Sequence, residues 1–305
     1  MAVAETRHFG RAAERCFVSQ PTLSGQLKKL EEELGVTLFE RTSKTVAITP
    51  VGESLLVHAR RAVQEADALV QVARAHRDPL AGPLRVGVIP TLSPYLIPLI
   101  LLPLRRQHPQ LRLVLSEDLT EVLLERLRAY AIDVAIIATP VDDPELVARP
   151  MFEEPFWLAH PRDHPLYYQD PITRADLVKL DLLLLADGHC LARQVSEVCQ
   201  LAEGRAGELT ADLRASSLET LLQLVGAGLG CTLVPALAVR GAWTTDAGVV
   251  ARPIEVPDAF RRVSLTWRRS FPRQPAVDAL SRVIVQNLPN TVRPLPPAPG
   301  ATATG

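Results

Sequence analysis

Leu23, Leu27, Leu30 and Leu34 recur at spacings of four, three and four, which lines them up on one face of a helix. Ser19 is placed to cap that helix, Pro21 sits in its first turn where a missing N–H costs little, and Gly35 supplies a stop. Upstream, Phe9 to Cys16 reads as a shorter helix with Ala12, Ala13 and Cys16 turned inward, small enough to let another helix approach closely. Phe17 and Val18 give a tight turn between the two. Downstream, Leu38-Phe39-Glu40-Arg41 and Val46-Ala47-Ile48 flank Thr42-Ser43-Lys44, so a small hairpin wing is predicted. Thr49 and Pro50 then open a helix with Leu55, Leu56, Ala59, Ala62, Val63, Ala66, Leu69, Val70 and Ala73 on one side. At about 1.5 Å per residue, residues 50 to 77 span roughly 42 Å, too long and too thinly apolar for a buried element, so this helix is expected to pair with its twin.

Asp78-Pro79-Leu80-Ala81-Gly82-Pro83 breaks that helix and serves as a hinge. Beyond it, strand 84–89, a helix around 94–107, strand 111–116, helix 120–130 and strand 133–138 spell βαβαβ, hence a parallel sheet with covered faces. A second set has strands at Phe156 to Ala159, Leu182 to Leu185, Leu213 to Ala215, Cys231 to Val234 and Val263 to Trp267, with a helix at 217–227. A closing helix, about 275–288, is expected to pack back on the first set. The predicted fold class is α/β: an N-terminal winged helix-turn-helix, a long linker helix, and a two-lobed effector domain of the periplasmic-binding-protein type with a ligand cleft. The expected divisions are a reading domain at 1–49, a linker helix at 50–77, a hinge at 78–83, lobe I at 84–152 and 266–288, and lobe II at 153–265. The tail at 289–305, with five prolines, is expected to be disordered.

Composition narrows the picture only a little. At 305 residues, 47% hydrophobic and 22% charged, the chain has the make-up of an ordinary soluble protein of two or three domains. The longest apolar run, Leu96 to Leu104, is interrupted by Pro98 and Pro103 and falls short of a membrane span, and no signal peptide is visible. Four cysteines in so long a chain do not make a secreted disulfide framework, so a cytoplasmic location is expected, where any disulfide is transient. The net charge is −1, and the first 49 residues carry seven Lys and Arg against six Glu. Bulk charge is therefore silent on nucleic acid, and the case rests on pattern.

That case is a short helix, a tight turn and a second helix with a polar, partly basic outer face, the plan of a helix-turn-helix reader. The reading surface comprises Gln20, Pro21, Thr22, Ser24, Gln26, Lys28, Lys29 and Arg41. Gln20, Thr22, Ser24 and Gln26 are candidates for base edges, and Lys28, Lys29 and Arg41 for phosphates, with Lys44 near the wing tip. Amphipathic helices alone would equally suit a protein-interaction module. The wing favours DNA, because a bare helix pair has no need of it.

Asp187-Gly188-His189-Cys190, followed at nine residues by Cys199, carries the other candidate chemistry. If a helix opens here, nine residues correspond to roughly 13 Å of rise and about 900° of rotation, which leaves the sulfurs on opposite faces. A disulfide needs Cα atoms within about 7 Å, so the pair cannot bridge while the helix persists. Either the two cysteines are ordinary buried small residues that never meet, or their meeting requires the segment to unfold, which would make a redox switch. A position at a helix start, where unpaired N–H groups favour a thiolate, is what would make Cys190 reactive. Cys16 and Cys231 lie in apolar patterns and are expected to be structural.

The run Arg11-Ala-Ala-Glu-Arg-Cys-Phe-Val-Ser-Gln-Pro-Thr-Leu-Ser-Gly-Gln-Leu-Lys-Lys-Leu-Glu-Glu-Glu-Leu-Gly35, then Leu38-Phe-Glu-Arg41, resembles the LysR-type transcriptional regulators. With the two lobes the resemblance covers residues 2 to about 288. Within that family, Gly188-His189-Cys190-Leu191 with Cys199, together with Ile89-Pro90-Thr91 and Ser216-Ser217-Leu218-Glu219-Thr220-Leu221, is similar to the OxyR-type hydrogen peroxide sensors. The resemblance implies that Cys190 is the peroxide-reactive thiol and Cys199 its resolving partner. It implies that Thr91 and Thr120 orient peroxide, that His189 flanks the thiolate and that Arg268 supplies positive charge. It further implies double-stranded DNA, hydrogen peroxide, RNA polymerase and a thiol reductant as partners, a homotetramer built as a dimer of dimers, and neither metal nor other cofactor. Thr91 and Thr120 also precede predicted helices and could simply cap them; Arg269 competes with Arg268. Two departures stand out. The family pattern Leu-Arg-Asp-Gln after the reactive cysteine is here Leu191-Ala192-Arg193-Gln194, without the acidic group. The family's reading domain also begins earlier, with an apolar helix inside which Met1 falls.

Three functions compete on these observations: a peroxide-responsive regulator, a LysR-type regulator that senses a small metabolite in the cleft with its cysteines incidental, and a thiol peroxidase. The helix-turn-helix speaks against the enzyme. The His189-Cys190 segment speaks against the metabolite sensor.

Overall fold

In the computed structural model, which describes residues 1–41, 46–75, 78–200, 215–240 and 248–296, the leucine stripe forms α3 (Gln20–Leu34), preceded by α1 (Ala2–Thr6) and α2 (Phe9–Arg15). The punctuation acts as expected: the Ser19 hydroxyl accepts from Thr22 N, and Gly35 closes the helix at φ 68°. Ala12 and Ala13 are buried, and Ala12 forms a small core with Val3, Leu38 and Phe39. Only half of the stripe joins that core. Leu23 and Leu27 pack on it, whereas Leu30 and Leu34 stay 43% and 48% exposed. Cys16 departs from its expected structural role: α2 ends at Arg15, so Cys16 lies past the helix end and is exposed. The wing is an antiparallel pair, β1 (Phe39–Arg41) and β2 (Val46–Ile48), with Phe39 opposite Ile48. Lys44, at its tip, lies outside the described residues. The long helix α4 (Pro50–Ala75) starts from Thr49, whose hydroxyl accepts from Gly52 N and donates to Thr37 O.

The chain divides into two compact units, Met1–Gln71 and Val72–Gly305. In the second, β3 (Gly82–Val88), α5 (Ser93–Gln107), β4 (Leu111–Glu117), α6 (Thr120–Arg128) and β5 (Val134–Ile137) form the expected βαβαβ, with β3 parallel to both β4 and β5. The helix α5 carries Pro98 and Pro103 inside it without ending. Next comes β6 (Leu146–Pro161), a strand of 16 residues where the sequence suggested only Phe156 to Ala159. Its first part pairs antiparallel with β9 (Phe260–Arg268), and its last part pairs with β7 (Thr232–Pro235) and β8 (Val249–Pro253). One strand thus runs through both lobes.

Two hydrophobic cores flank it. The first gathers β3, β5, α5, α6, β9 and the closing helix α10 (Gln274–Gln286), which packs on the first set as expected. The second gathers the far half of β6, β7, α8 (Cys190–Cys199) and α9 (Leu218–Gly226), with the short α7 (Arg174–Leu177) at its edge. Leu182 to Leu185 do not form a strand; Leu182 and Leu185 make isolated bridges to Cys231 and Ala215. The tail also differs from expectation up to residue 296. Val292 is buried, and Arg293–Pro294 form β10, which adds to β6 opposite Glu153 and Phe152. Arg293 pairs there with the Glu153 carboxylate, which ties this segment down.

Candidate functional site

The helix α8 is amphipathic, and its two ends face different cores. Leu191, Val195, Val198 and Cys199 are buried in the second core, while Cys190 is half-buried and packs against the first. The helix is continuous from one cysteine to the other, so about 13 Å of rise separates them. Both sulfurs are free thiols. Burial pushes the Cys199 thiol up to about 11, with Arg174 opposing. Arg174 also donates to Val198 O at 2.7 Å and so anchors the closing turn of the helix.

The start of α8 is set by Gly188, whose φ of +95° is a conformation that side chains rarely adopt. A Cβ there would stand 3.0 Å from the Leu119 side chain. Glycine therefore lets the turn before α6 close onto the turn before α8. His189 is the N-cap residue but makes no side-chain cap bond. One turn into α8, Gln194 donates to Ala138 O at 2.7 Å across the lobes. Thr120 Oγ1 and Gln194 Oε1 are buried and have no hydrogen-bond partner among the described residues. Buried polar atoms are normally satisfied, so each is a group whose hydrogen-bonding capacity a small polar guest would meet.

Neither threonine is a cap: the N-cap positions of α5 and α6 are Leu92 and Leu119, without side-chain cap bonds. Thr91 is instead bound to an arginine, but not to Arg268. Arg261 Nη1 donates to Thr91 Oγ1 at 2.8 Å and Nη2 to Thr91 O at 3.0 Å, while its Nε donates to Glu154 at 2.8 Å. Arg268 is occupied elsewhere. Its Nη1 donates to Leu127 O at 2.6 Å and Ile132 O at 2.7 Å, and the guanidinium lies 4.4 Å from the centre of the Tyr130 ring. It braces the far end of α6, about 10 Å along the helix from Thr120, and stands seven residues along β9 from the Arg261 that holds Thr91. A further bond joins the lobes one turn into α5, where Tyr95 Oη donates to Glu219 at 2.8 Å. Burial, with help from Glu219, pushes the Tyr95 hydroxyl well above its ordinary value.

On α3 the side chains of Gln20, Pro21, Thr22, Gln26, Lys28 and Lys29 are exposed and Ser24 is half-buried. Lys28 and Lys29 lie 3.7 and 3.9 Å from Glu32 and Glu33, loose pairs that leave both ammonium groups available to an anion. The side chain of Arg41 lies outside the described residues.

Comparison with known proteins decides the family. Residues 1–53 match the model of the bacterial regulatory helix-turn-helix protein, lysR family, and residues 77–289 match the LysR substrate binding domain. The chain belongs to the LysR family of transcriptional regulators. Within the family it is similar to the DNA-binding transcriptional dual regulator OxyR of Escherichia coli K12, at 42% identity over 284 residues, covering 93% of this chain and 92% of that protein. A probable hydrogen peroxide-inducible genes activator of Streptomyces viridosporus is 40% identical over 283 residues, covering 93% and 90%. Among solved structures, a full-length OxyR cysteine variant from Pseudomonas aeruginosa matches with a TM-score of 0.73 at 39% identity over 93% of this chain and 91% of that one. An OxyR cysteine mutant from Corynebacterium glutamicum with hydrogen peroxide bound matches with a TM-score of 0.66 at 38% identity over 94% and 89%.

For this LysR-type regulator, sequence reasoning missed Arg261, Glu154 and Gln194. The signal for Arg261 was parity. Starting the last strand at Phe260 rather than Val263 puts Arg261 in step with the inward-facing Val263 and Leu265, opposite Glu154 in the antiparallel register.

Proposed function

We propose that this regulator senses hydrogen peroxide through Cys190 and registers it as a Cys190–Cys199 disulfide that alters its contacts with DNA. The observation that carries the reading is that one intact helix holds the two thiols against two different cores. In the reaction, the Cys190 thiolate attacks one peroxide oxygen, an S–O bond forms, the O–O bond breaks, and hydroxide leaves to be protonated to water. Sulfur is oxidised by two electrons. Cys199 then condenses with the sulfenic acid, a disulfide forms, and a second water leaves. Thr91, Thr120 and His189 orient the peroxide, and the buried oxygens of Thr120 and Gln194 suit a guest that both donates and accepts. Arg261, rather than Arg268, supplies the positive charge beside Thr91.

Condensation requires α8 to unwind, because the Cα atoms must come within about 7 Å. Unwinding gives up the Cys199 burial and the Gln194 bond to Ala138, so oxidation is coupled to a change of surface. One disulfide forms per exposure, and a cytoplasmic thiol reductant resets it, which is signalling and not turnover. The reading surface on α3 engages double-stranded DNA and the changed surface engages RNA polymerase. Exposed Val57, Val63 and Leu69 on α4, and Leu101, Leu102 and Val114 on α5 and β4, support assembly as a tetramer made of dimers.

Mass mapping of all four thiols before and after stoichiometric peroxide tests the reading. A Cys190–Cys199 linkage, with Cys16 and Cys231 still reduced, is expected. Recovery of both Cys190 and Cys199 as free thiols from peroxide-treated protein would overturn it.

A further inference from the structure

We propose that Glu154 is a positioning residue for the peroxide reaction, acting through Arg261 to fix which way the Thr91 hydroxyl points its hydrogen. The inference rests on the peroxide reading of Cys190 above and adds to it a residue that never touches the reacting atoms. Glu154 and Arg261 are direct cross-strand partners in the β6–β9 register, and both side chains are fully buried. Both oxygens of the carboxylate are engaged: Oε2 accepts from Arg261 Nε and Oε1 accepts from Leu237 N, each at 2.8 Å. The guanidinium is therefore locked at its Nε edge, and its two terminal nitrogens grip Thr91 at both the hydroxyl and the carbonyl oxygen.

The direction of these bonds follows from chemistry alone. A guanidinium has five N–H donors and no acceptor, so Thr91 Oγ1 can only accept from it. The single hydrogen of Thr91 is then free to be donated elsewhere. A hydroxyl left to itself can rotate freely between donating and accepting; with one lone pair taken by the guanidinium, this one is biased toward turning its hydrogen away from Arg261. For a reaction in which a peroxide oxygen leaves with growing negative charge, a donor preset before the guest arrives is worth more than one that must turn to meet it. The chain of command runs from the Leu237 backbone through Glu154 and Arg261 to Thr91.

Glu154→Gln separates this role from simple support. The amide keeps the shape but offers one acceptor and one donor, and both of its neighbours, Leu237 N and Arg261 Nε, are donors. One of the two contacts must fail, and the guanidinium loosens. We expect E154Q to lower the second-order rate of sulfenic acid formation at Cys190 about tenfold, the loss of roughly one hydrogen bond in the transition state. Once sulfenic acid has formed, the rate of its condensation with Cys199 should be unchanged. The deciding measurement repeats E154Q in a Thr91→Val background, where no hydroxyl remains to be aimed. There E154Q should slow the reaction less than twofold. An equal slowing in both backgrounds would show that Glu154 acts by another route and overturn the proposal, as would an E154Q protein that reacts at the parental rate.

If E154Q does not fold, E154D serves instead. Its carboxylate is one methylene too short to span both donors, so an intermediate rate that again vanishes in the T91V background supports the proposal, and a parental rate overturns it. Failure of the underlying reading looks different. A parental Cys190 inert to peroxide removes the reading itself, and T91V reacting as fast as the parent removes Thr91 and Glu154 while leaving the thiol chemistry standing.

Discussion

The two ends of α8 sit in opposite surroundings. At the first, Cys190 is half-buried against the first core and lies two residues after a glycine in a conformation few residues adopt. At the second, Cys199 is fully buried among Leu, Val and Ile side chains, its thiol is pushed up to about 11, and Arg174 ties down the last turn. On the proposed reading one sulfur is the reactive one. The other, its thiol raised by burial and enclosed, would meet it only once the helix comes apart. The difference teaches that two residues of one type, nine apart on one helix, can be given unlike environments by position alone.

Removing the first end has the largest effect. Cys190→Ser should abolish any peroxide-dependent change in the DNA footprint while leaving the footprint of the reduced protein intact; a variant that still responds would erase the distinction between the ends. Removing the second end should separate the two chemical steps. Cys199→Ser is expected to stop at a sulfenic acid or to pass to higher oxides, read by intact mass, and an intramolecular disulfide to Cys16 or Cys231 would show that the resolving thiol was wrongly assigned.

A subtler contrast comes from pH. Because folding raises the Cys199 thiol from 9.0 to about 11, the folded state holds its proton more tightly than the unfolded chain. The stability this contributes is fully present below pH 9 and is lost as pH rises through 9 to 11, an interval worth about 3 kcal/mol. Cys231, pushed up to about 12, titrates over an overlapping range, so the comparison is with Cys199→Ala. That variant should show a flatter decline in unfolding free energy from pH 9 to 11, and parallel curves would place the effect elsewhere. The smallest change expected is at Gln194. Replacing it by Ala deletes the bond to Ala138 O and should loosen the early turns of α8 by about 1 kcal/mol, read as amide exchange about fivefold faster. Exchange unchanged in α8 would mean that this bond does not restrain the helix.

Much of this was legible from local pattern. Helix punctuation at Ser19, Gly35 and Thr49, the βαβαβ run, and the opposed faces of Cys190 and Cys199 all follow from spacing and short-range chemistry. What spacing could not give was anything decided across the sheet. The resemblance points to Arg268, with Arg269 as its competitor, and only the register of β6 against β9 and the hydrogen bonds it allows show that Arg261 meets Glu154 and Thr91 while Arg268 is used on Leu127 and Ile132. The proline-rich tail was misread up to residue 296 for the same reason. Its composition suggests disorder, but the open edge of β6 supplies pairing that composition cannot reveal.

That 16-residue strand has one more implication. A protein whose halves are joined by crossing loops can shut like a pair of jaws, since loops bend cheaply. Here an unbroken ribbon of backbone, zipped along its length to β9, β10, β7 and β8, ties the halves together as a beam does. Large swings are expensive for such an object, so on the proposed reading an oxidised thiol would be announced by altered relief on its surface rather than by a closing of the halves.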